Sequence, residues 1–175
     1  MNTTGTSLKK LVLKALFIAL VTVSTMIIQI PVPMTEGYIH FGDSMIFLIA
    51  VFFGRRNGAI AGGIGSMFAD IFSGYGHWAP FTFVIKGLMG FVVGYCSKYE
   101  SKEQKFFSVG TILGVLAGFV VMVGGYLIGG TILKGSFAVA LTSVPSNCMQ
   151  GLMGVVLFFI VGKALDKIQI TKYTL

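Results

Sequence analysis

Asp70-Ile-Phe-Ser-Gly-Tyr-Gly-His-Trp-Ala-Pro-Phe-Thr-Phe-Val-Ile-Lys86 is the stretch on which the reading of the chain turns. Here charge and aromatic polarity interrupt a sequence that is otherwise greasy. Asp70 closes one apolar run, Lys86 lies inside the next, and Tyr75, His77 and Trp78 occupy the bend between them. An acid and a base near lipid depth are costly and call for a reason. On the residues alone two readings stand. Either Asp70 and Lys86 line a pocket for a small polar solute, opening on the outer side of a membrane, or they form a buried ion pair with each other.

The membrane premise follows from composition. The 175 residues are 55% hydrophobic and 11% charged, against about 25% charged in an ordinary soluble domain, and the mean hydropathy is +0.88. Six apolar runs fit, over about residues 10–29, 41–54, 58–74, 80–96, 106–133 and 145–165. The expectation is therefore an all-α, polytopic bundle of six transmembrane helices forming a single integral membrane domain over residues 1–175. The net charge of +7 does not indicate nucleic acid, because the basic residues are scattered between apolar runs rather than gathered on one aromatic-interleaved surface.

Lys9, Lys10 and Lys14 precede the first run, which lacks a small-x-small cleavage site and reads as a retained helix rather than a signal peptide. Ala15 and Ala19 stand four apart on one of its faces, a spacing that lets another helix approach closely. Residues 31–40 contain two prolines and a glycine, which forbid a continuing helix and predict an outer loop carrying Glu36, Tyr38 and His40. His40 reads there as a solvated histidine. Asp43 falls just under the surface at the head of the second run. Arg55 and Arg56 mark a turn, and Gly58, Gly62, Ser66 and Asp70 then recur every four residues as a smooth packing seam. Pro80 suits the first turn of the fourth helix. The fifth run carries Gly124-Gly125 and Gly129-Gly130, which predict a bend or unwinding near its end. Between residues 134 and 145 an outer loop with a short interfacial helix is expected. Asn147 and Gln150 begin the last span, at the height of Asp43, Asp70 and His77, where carboxamides can read a solute's donors and acceptors.

Placing both termini in the cytoplasm puts eleven of the thirteen Lys and Arg residues inside: Lys9, Lys10 and Lys14; Arg55 and Arg56; Lys98, Lys102 and Lys105; Lys163, Lys167 and Lys172. Only Lys134 falls outside, and Lys86 lies within a span. This is the asymmetry that fixes orientation. The same topology collects Asp43, Asp70, Tyr75, His77, Trp78, Asn147 and Gln150 in the outer half, which predicts a one-sided polar pocket. Catalytic chemistry finds no support. The glycine-rich third run lacks a phosphate-loop Gly-Lys-Ser/Thr, and there is neither a His-Glu-x-x-His nor a Gly-x-Ser-x-Gly motif. Two histidines without a ligand cluster argue against a metal site, and no cofactor is expected.

Several motifs together resemble one known family. They are Ala15-x-x-x-Ala19 on the first helix, Tyr-Ile-His-Phe-Gly-Asp entering the second, Gly-Ala-Ile-Ala-Gly-Gly-Ile-Gly-Ser in the third, and Gly-Tyr-Gly-His-Trp-Ala-Pro-Phe leading to Val-Ile-Lys-Gly. Over about residues 9–167 the chain is similar to the substrate-binding S component of energy-coupling factor (ECF) vitamin transporters, in the branch tied to hydroxymethylpyrimidine or vitamin B6 compounds. The resemblance implies a binding subunit of the bacterial plasma membrane, not an enzyme, that takes a small water-soluble vitamin near the outer face. Ala15 and Ala19 would dock on a transmembrane coupling (T) component linked to two cytoplasmic ATPases. The expected substrate-binding residues are Tyr38, His40, Asp43, Asp70, Tyr75, His77, Trp78, Lys86, Asn147 and Gln150. Two other readings remain open: a stand-alone carrier, which would carry inverted repeats and polar residues on both sides of the midplane, and a membrane scaffold that binds no solute.

Overall fold

A computed structural model describes residues 3–32 and 37–170. In chain order the elements are α1 (Thr3–Ile27), β1 (Gln29–Val32), β2 (Gly37–His40), α2 (Gly42–Phe53), α3 (Arg55–Phe72), α4 (Ala79–Ser97), α5 (Val109–Lys134), α6 (Phe137–Leu141) and α7 (Val144–Lys167). Four stretches are long and apolar enough to cross a membrane: Leu8–Ile27, Ala79–Ser97, Val109–Lys134 and Phe137–Lys167. The chain is an all-α membrane protein with one small β-hairpin. Glu36, Lys172 and the first two residues of the polar N-terminal tail lie outside the described residues.

The shortest apolar helix sits at the centre. α2 has 12 residues, about 18 Å at 1.5 Å per residue, well short of a roughly 30 Å hydrocarbon layer. It packs against α1, α3, α4 and α7, and Phe47, Phe52, Ile46 and Val51 on it are fully buried. A helix enclosed on all sides meets its neighbours rather than lipid.

Small residues allow the enclosure. A Cβ on Gly62 would press on the Lys86 carbonyl, one on Gly58 on Ala50 and Gly90, and one on Gly94 on the Arg55 backbone. Positions that rise along α3 thus meet positions that fall along α4, so the two helices run antiparallel at near backbone contact. Gly58 and Gly62 of the seam read from the sequence lie on this packed face. Gly54, at φ +86°, makes the α2–α3 reversal by itself, a conformation that glycine adopts without strain. Arg55 and Arg56 therefore belong to α3 rather than to a turn, with the Arg55 guanidinium 5.5 Å over the Phe91 ring and 5.4 Å over that of Tyr95.

Two expectations need correction. α5 runs unbroken to Lys134: of the four glycines expected to loosen it, three are packing surfaces, where a Cβ on Gly125 would meet Ile85, one on Gly129 Phe81, and one on Gly130 Ala140 and Trp78, while Gly124 faces open space. Residues 31–32 and 37–40, expected in an outer loop, are paired strand. β1 and β2 pair antiparallel with Gln29 opposite His40 and Pro31 opposite Tyr38. In a two-stranded ribbon each strand has a free edge, which is where proline is tolerated.

Gly90→Val tests the close α3–α4 contact. Forcing a branched side chain into backbone should cost about 1–3 kcal/mol and lower the melting temperature in detergent. Gly76→Ala, at a position where an added Cβ meets nothing within 4 Å, should leave it unchanged.

Candidate functional site

The site is built upward from a buried ion pair. Lys86 on α4 donates to Asp43 Oδ1 on α2 at 2.5 Å, and neither side chain has any solvent exposure. Gln150 Nε2 on α7 donates to the other carboxylate oxygen at 3.0 Å, and the Tyr126 ring of α5 lies 5.3 Å from the ammonium. Four helices thus converge on one charge pair.

The pairing of Lys86 with Asp70 is not what the structure contains. The α3–α4 contact puts Lys86 level with Gly62, and Asp70 is eight residues further along α3, about 12 Å up its axis. α2 approaches at the lower level, with Ile46 against Gly62, so the lysine reaches Asp43.

Asp70 instead meets the hairpin. The Tyr38 hydroxyl donates to Asp70 Oδ1 at 2.8 Å, and Gln29 Nε2 on β1 donates to Ser73 Oγ just past α3 at 2.8 Å. Beneath the hairpin lies a cavity of about 60 Å³. Aromatic rings make its side: Tyr38 and Tyr75 have centroids 4.8 Å apart, and Trp78 and Tyr126 5.8 Å apart at 65°. Polar groups complete it. Gln150 stands between cavity and ion pair, Asn147, Ser146 and Ser143 come from the start of α7, and Thr82 Oγ1 shares a hydrogen bond with the Tyr126 hydroxyl at 3.1 Å.

Seven of the ten residues proposed from the sequence, Tyr38, His40, Asp70, Tyr75, Trp78, Asn147 and Gln150, line this one cavity. Asp43 and Lys86 lie beneath it. His77 does not join them: it is exposed at the α3–α4 bend, its ring 6.2 Å from Trp78 and 6.5 Å from Tyr75. His40 is buried, not solvated, at 6% exposure, and its Nδ1 accepts from the Gly42 amide at the head of α2 at 3.0 Å. Sequence reasoning missed Tyr126 and Thr82. A phenol in the middle of an apolar run was the available signal, since a buried Tyr carries a hydroxyl that needs a partner.

The protonation states follow from the surroundings. Burial lowers the His40 pKa to about 4, with the Lys86 charge acting in the same sense and Asp43 opposing. Its imidazole is neutral, as the Nδ1 acceptor role requires. Burial, with the Asp70 charge beside it, pushes the Tyr38 phenol above its ordinary value and keeps the hydroxyl a donor.

One end of the bundle is thus hollowed into a cavity lined by aromatic and polar side chains. The chain matches the family model of the ECF-type riboflavin transporter, S component, over residues 5–167, and it belongs to that family of transporter S components. It is 40% identical over 147 residues to an uncharacterized protein of Pyrococcus woesei, covering 84% of this chain and 95% of that one. It is also 28% identical over 162 residues to the thiamine precursor transporter HmpT of Lactococcus lactis subsp. cremoris, covering 92% of this chain and 90% of the relative. The protein is a transport component and not an enzyme.

Lys86→Met leaves Asp43 buried and unpaired, and should cost about 3–5 kcal/mol, read as loss of the monodisperse protein or a large fall in melting temperature. Asp43→Asn with Lys86→Met removes both charges while keeping an acceptor for Gln150, and should recover most of that loss; a double mutant as unstable as the single would contradict the pairing. His40 gives a pH test. Its folded pKa is depressed, so acidification between about 6.5 and about 4 protonates the unfolded chain first, and stability should fall through that window. His40→Asn, which keeps an acceptor for the Gly42 amide but does not titrate, should show a smaller fall in melting temperature over the same range.

Proposed function

We propose that the protein is the membrane-embedded substrate-binding subunit of an ECF-type importer. It captures a small, planar, water-soluble vitamin or precursor, hydroxymethylpyrimidine or a pyridoxine-like ring, for ATP-driven uptake. The observation that carries this reading is the cavity under the hairpin. Flat aromatic walls favour a ring by stacking, worth about 0.5–1.5 kcal/mol beyond burial, and the polar groups of α3 and α7 offer orientation. The name of HmpT points the same way.

In this reading α1 to α5 and α7 are the six membrane-embedded helices, α2 being the short one enclosed by the others, with both termini cytoplasmic and the cavity facing outward. The described Lys and Arg residues at the helix ends remote from the hairpin support that orientation. Ala15 and Ala19 lie exposed on α1, which supports their role as the docking stripe for the T component, itself joined to two ATPase subunits. A stand-alone carrier is disfavoured by the one-sided polarity. Of the buried polar residues, Ser97 and Thr111 are at the far end, whereas Asp43, Asp70, Lys86, Gln150 and His40 are all on the cavity side.

Two measurements test the reading. Calorimetric titration of purified protein with hydroxymethylpyrimidine should give saturable binding that Trp78→Ala weakens by about tenfold; unchanged affinity would remove Trp78 from the site. Ala15→Trp and Ala19→Trp should abolish copurification with the T component while leaving that titration intact, because only helix approach is blocked. Full complex formation by both variants would refute the docking stripe.

A further inference from the structure

Within the cavity Asp70 is 6% exposed, and its two oxygens differ. Oδ1 accepts from the Tyr38 hydroxyl, while Oδ2 is buried with no hydrogen-bond partner among the described residues. The neighbouring Thr82 hydroxyl lies beside Asp70 and shares a hydrogen bond with the Tyr126 hydroxyl in which either oxygen can donate, but it makes no hydrogen bond to Oδ2. A carboxylate oxygen held in this way wants a donor, and leaving it without one costs more than a neutral group would.

The surrounding charges do not neutralise it. Lys86 is matched by Asp43 at 2.5 Å, so that pair contributes no net charge. His40, with its pKa lowered to about 4, is neutral, and His77 lies on the exposed surface outside the cavity. The described groups around the cavity thus carry the charge of one carboxylate in excess, in a setting where charges are weakly screened.

We propose that Asp70 Oδ2 accepts an N–H donor of the bound ring, and that this uncompensated carboxylate selects donor-bearing or cationic unphosphorylated rings against their phosphate esters. The inference rests on the reading of the cavity as the solute site. A neutral or protonated amino-heteroaromatic supplies the missing donor. A phosphate brings like charge to a buried acid and needs cationic partners, yet Lys86 is already paired.

Trp78, the single tryptophan of the chain, lines the cavity, so its fluorescence reports occupancy directly. Four compounds are titrated into the purified wild-type protein: the amino-bearing hydroxymethylpyrimidine, its phosphate ester, its uncharged acetate ester as a control for bulk, and the analogue with methyl in place of the amino group. The phosphate ester should bind at least about a hundredfold more weakly than the parent, the acetate ester within about tenfold of it, and the methyl analogue at least about tenfold more weakly. Asp70→Asn, checked for a native melting profile, should lose about tenfold for the parent, and its phosphate penalty should shrink by a similar factor. Equal affinities of wild type for the phosphate and acetate esters would overturn the charge selection, and native affinity for the parent in Asp70→Asn would overturn the contact. These wild-type comparisons stand even if the variant misfolds. Tight binding of all four compounds would refute this inference and leave the cavity as a solute site, whereas no response to any of them, nor to riboflavin, would refute both.

Discussion

The buried contact between Asp43 and Lys86 is the constraint on which the bundle depends. Taking two ions out of water costs several kcal/mol each, and here they have no solvent exposure at all. The cost is offset only where geometry is close and the remaining polar valences are met. Gln150 meets the second carboxylate oxygen, and the Tyr126 face lies beside the ammonium. The arrangement therefore demands that α2, α4, α5 and α7 keep one register. It also explains how a 12-residue helix holds its depth among longer ones: sliding α2 along its axis by one turn, about 5.4 Å, would strand both charges. The near backbone contact of α3 with α4 belongs to the same constraint, because it sets the level at which Lys86 enters the core.

Floor and roof of the cavity are held by forces of different size. The floor is Gln150 over the ion pair, and breaking it exposes a buried charge, a penalty of about 3–5 kcal/mol. The roof is the hairpin, fixed to the α3 end by Tyr38 to Asp70 and by Gln29 to Ser73. One of these bonds is charge-assisted, worth about 1.5–3 kcal/mol, and the other is a neutral bond worth about 0.5–1.5 kcal/mol. Most of the large apolar side chains that are fully buried, Phe47, Phe52, Phe106 and Phe158 among them, lie away from the hairpin, which rests instead on Tyr75 and on the head of α2 through His40 and Gly42. The molecule is thus rigid where the polar core must be kept dry and more lightly held where the cavity meets its surroundings.

The sequence made the membrane class, the helix order and the polar end legible, because each rests on a one-dimensional signal: apolar run length, glycine spacing and the placement of lysine and arginine. The cavity residues were legible for a related reason. Tyr38, Asp70, Tyr75, Trp78, Asn147 and Gln150 all sit within a turn or two of a helix end, and ends on the same side of a short-looped bundle are neighbours by topology alone. What the sequence withheld was depth. Asp70 and Lys86 flank one bend, which invites pairing them, but a helical hairpin fixes contacts by the level at which its backbones meet. That level is set by Gly62 against the Lys86 carbonyl, two turns below Asp70, and no pattern along a single helix reveals it. Tyr126 was hidden in the same way. The paired glycines of α5 read as a weakness when seen alone, whereas Gly125 and Gly129, against Ile85 and Phe81, form the surface that brings a phenol to within hydrogen-bonding distance of Thr82 and to the edge of the cavity. A glycine pair in a membrane helix is a break only where nothing packs on it, and that depends on the neighbouring helix rather than on the glycines.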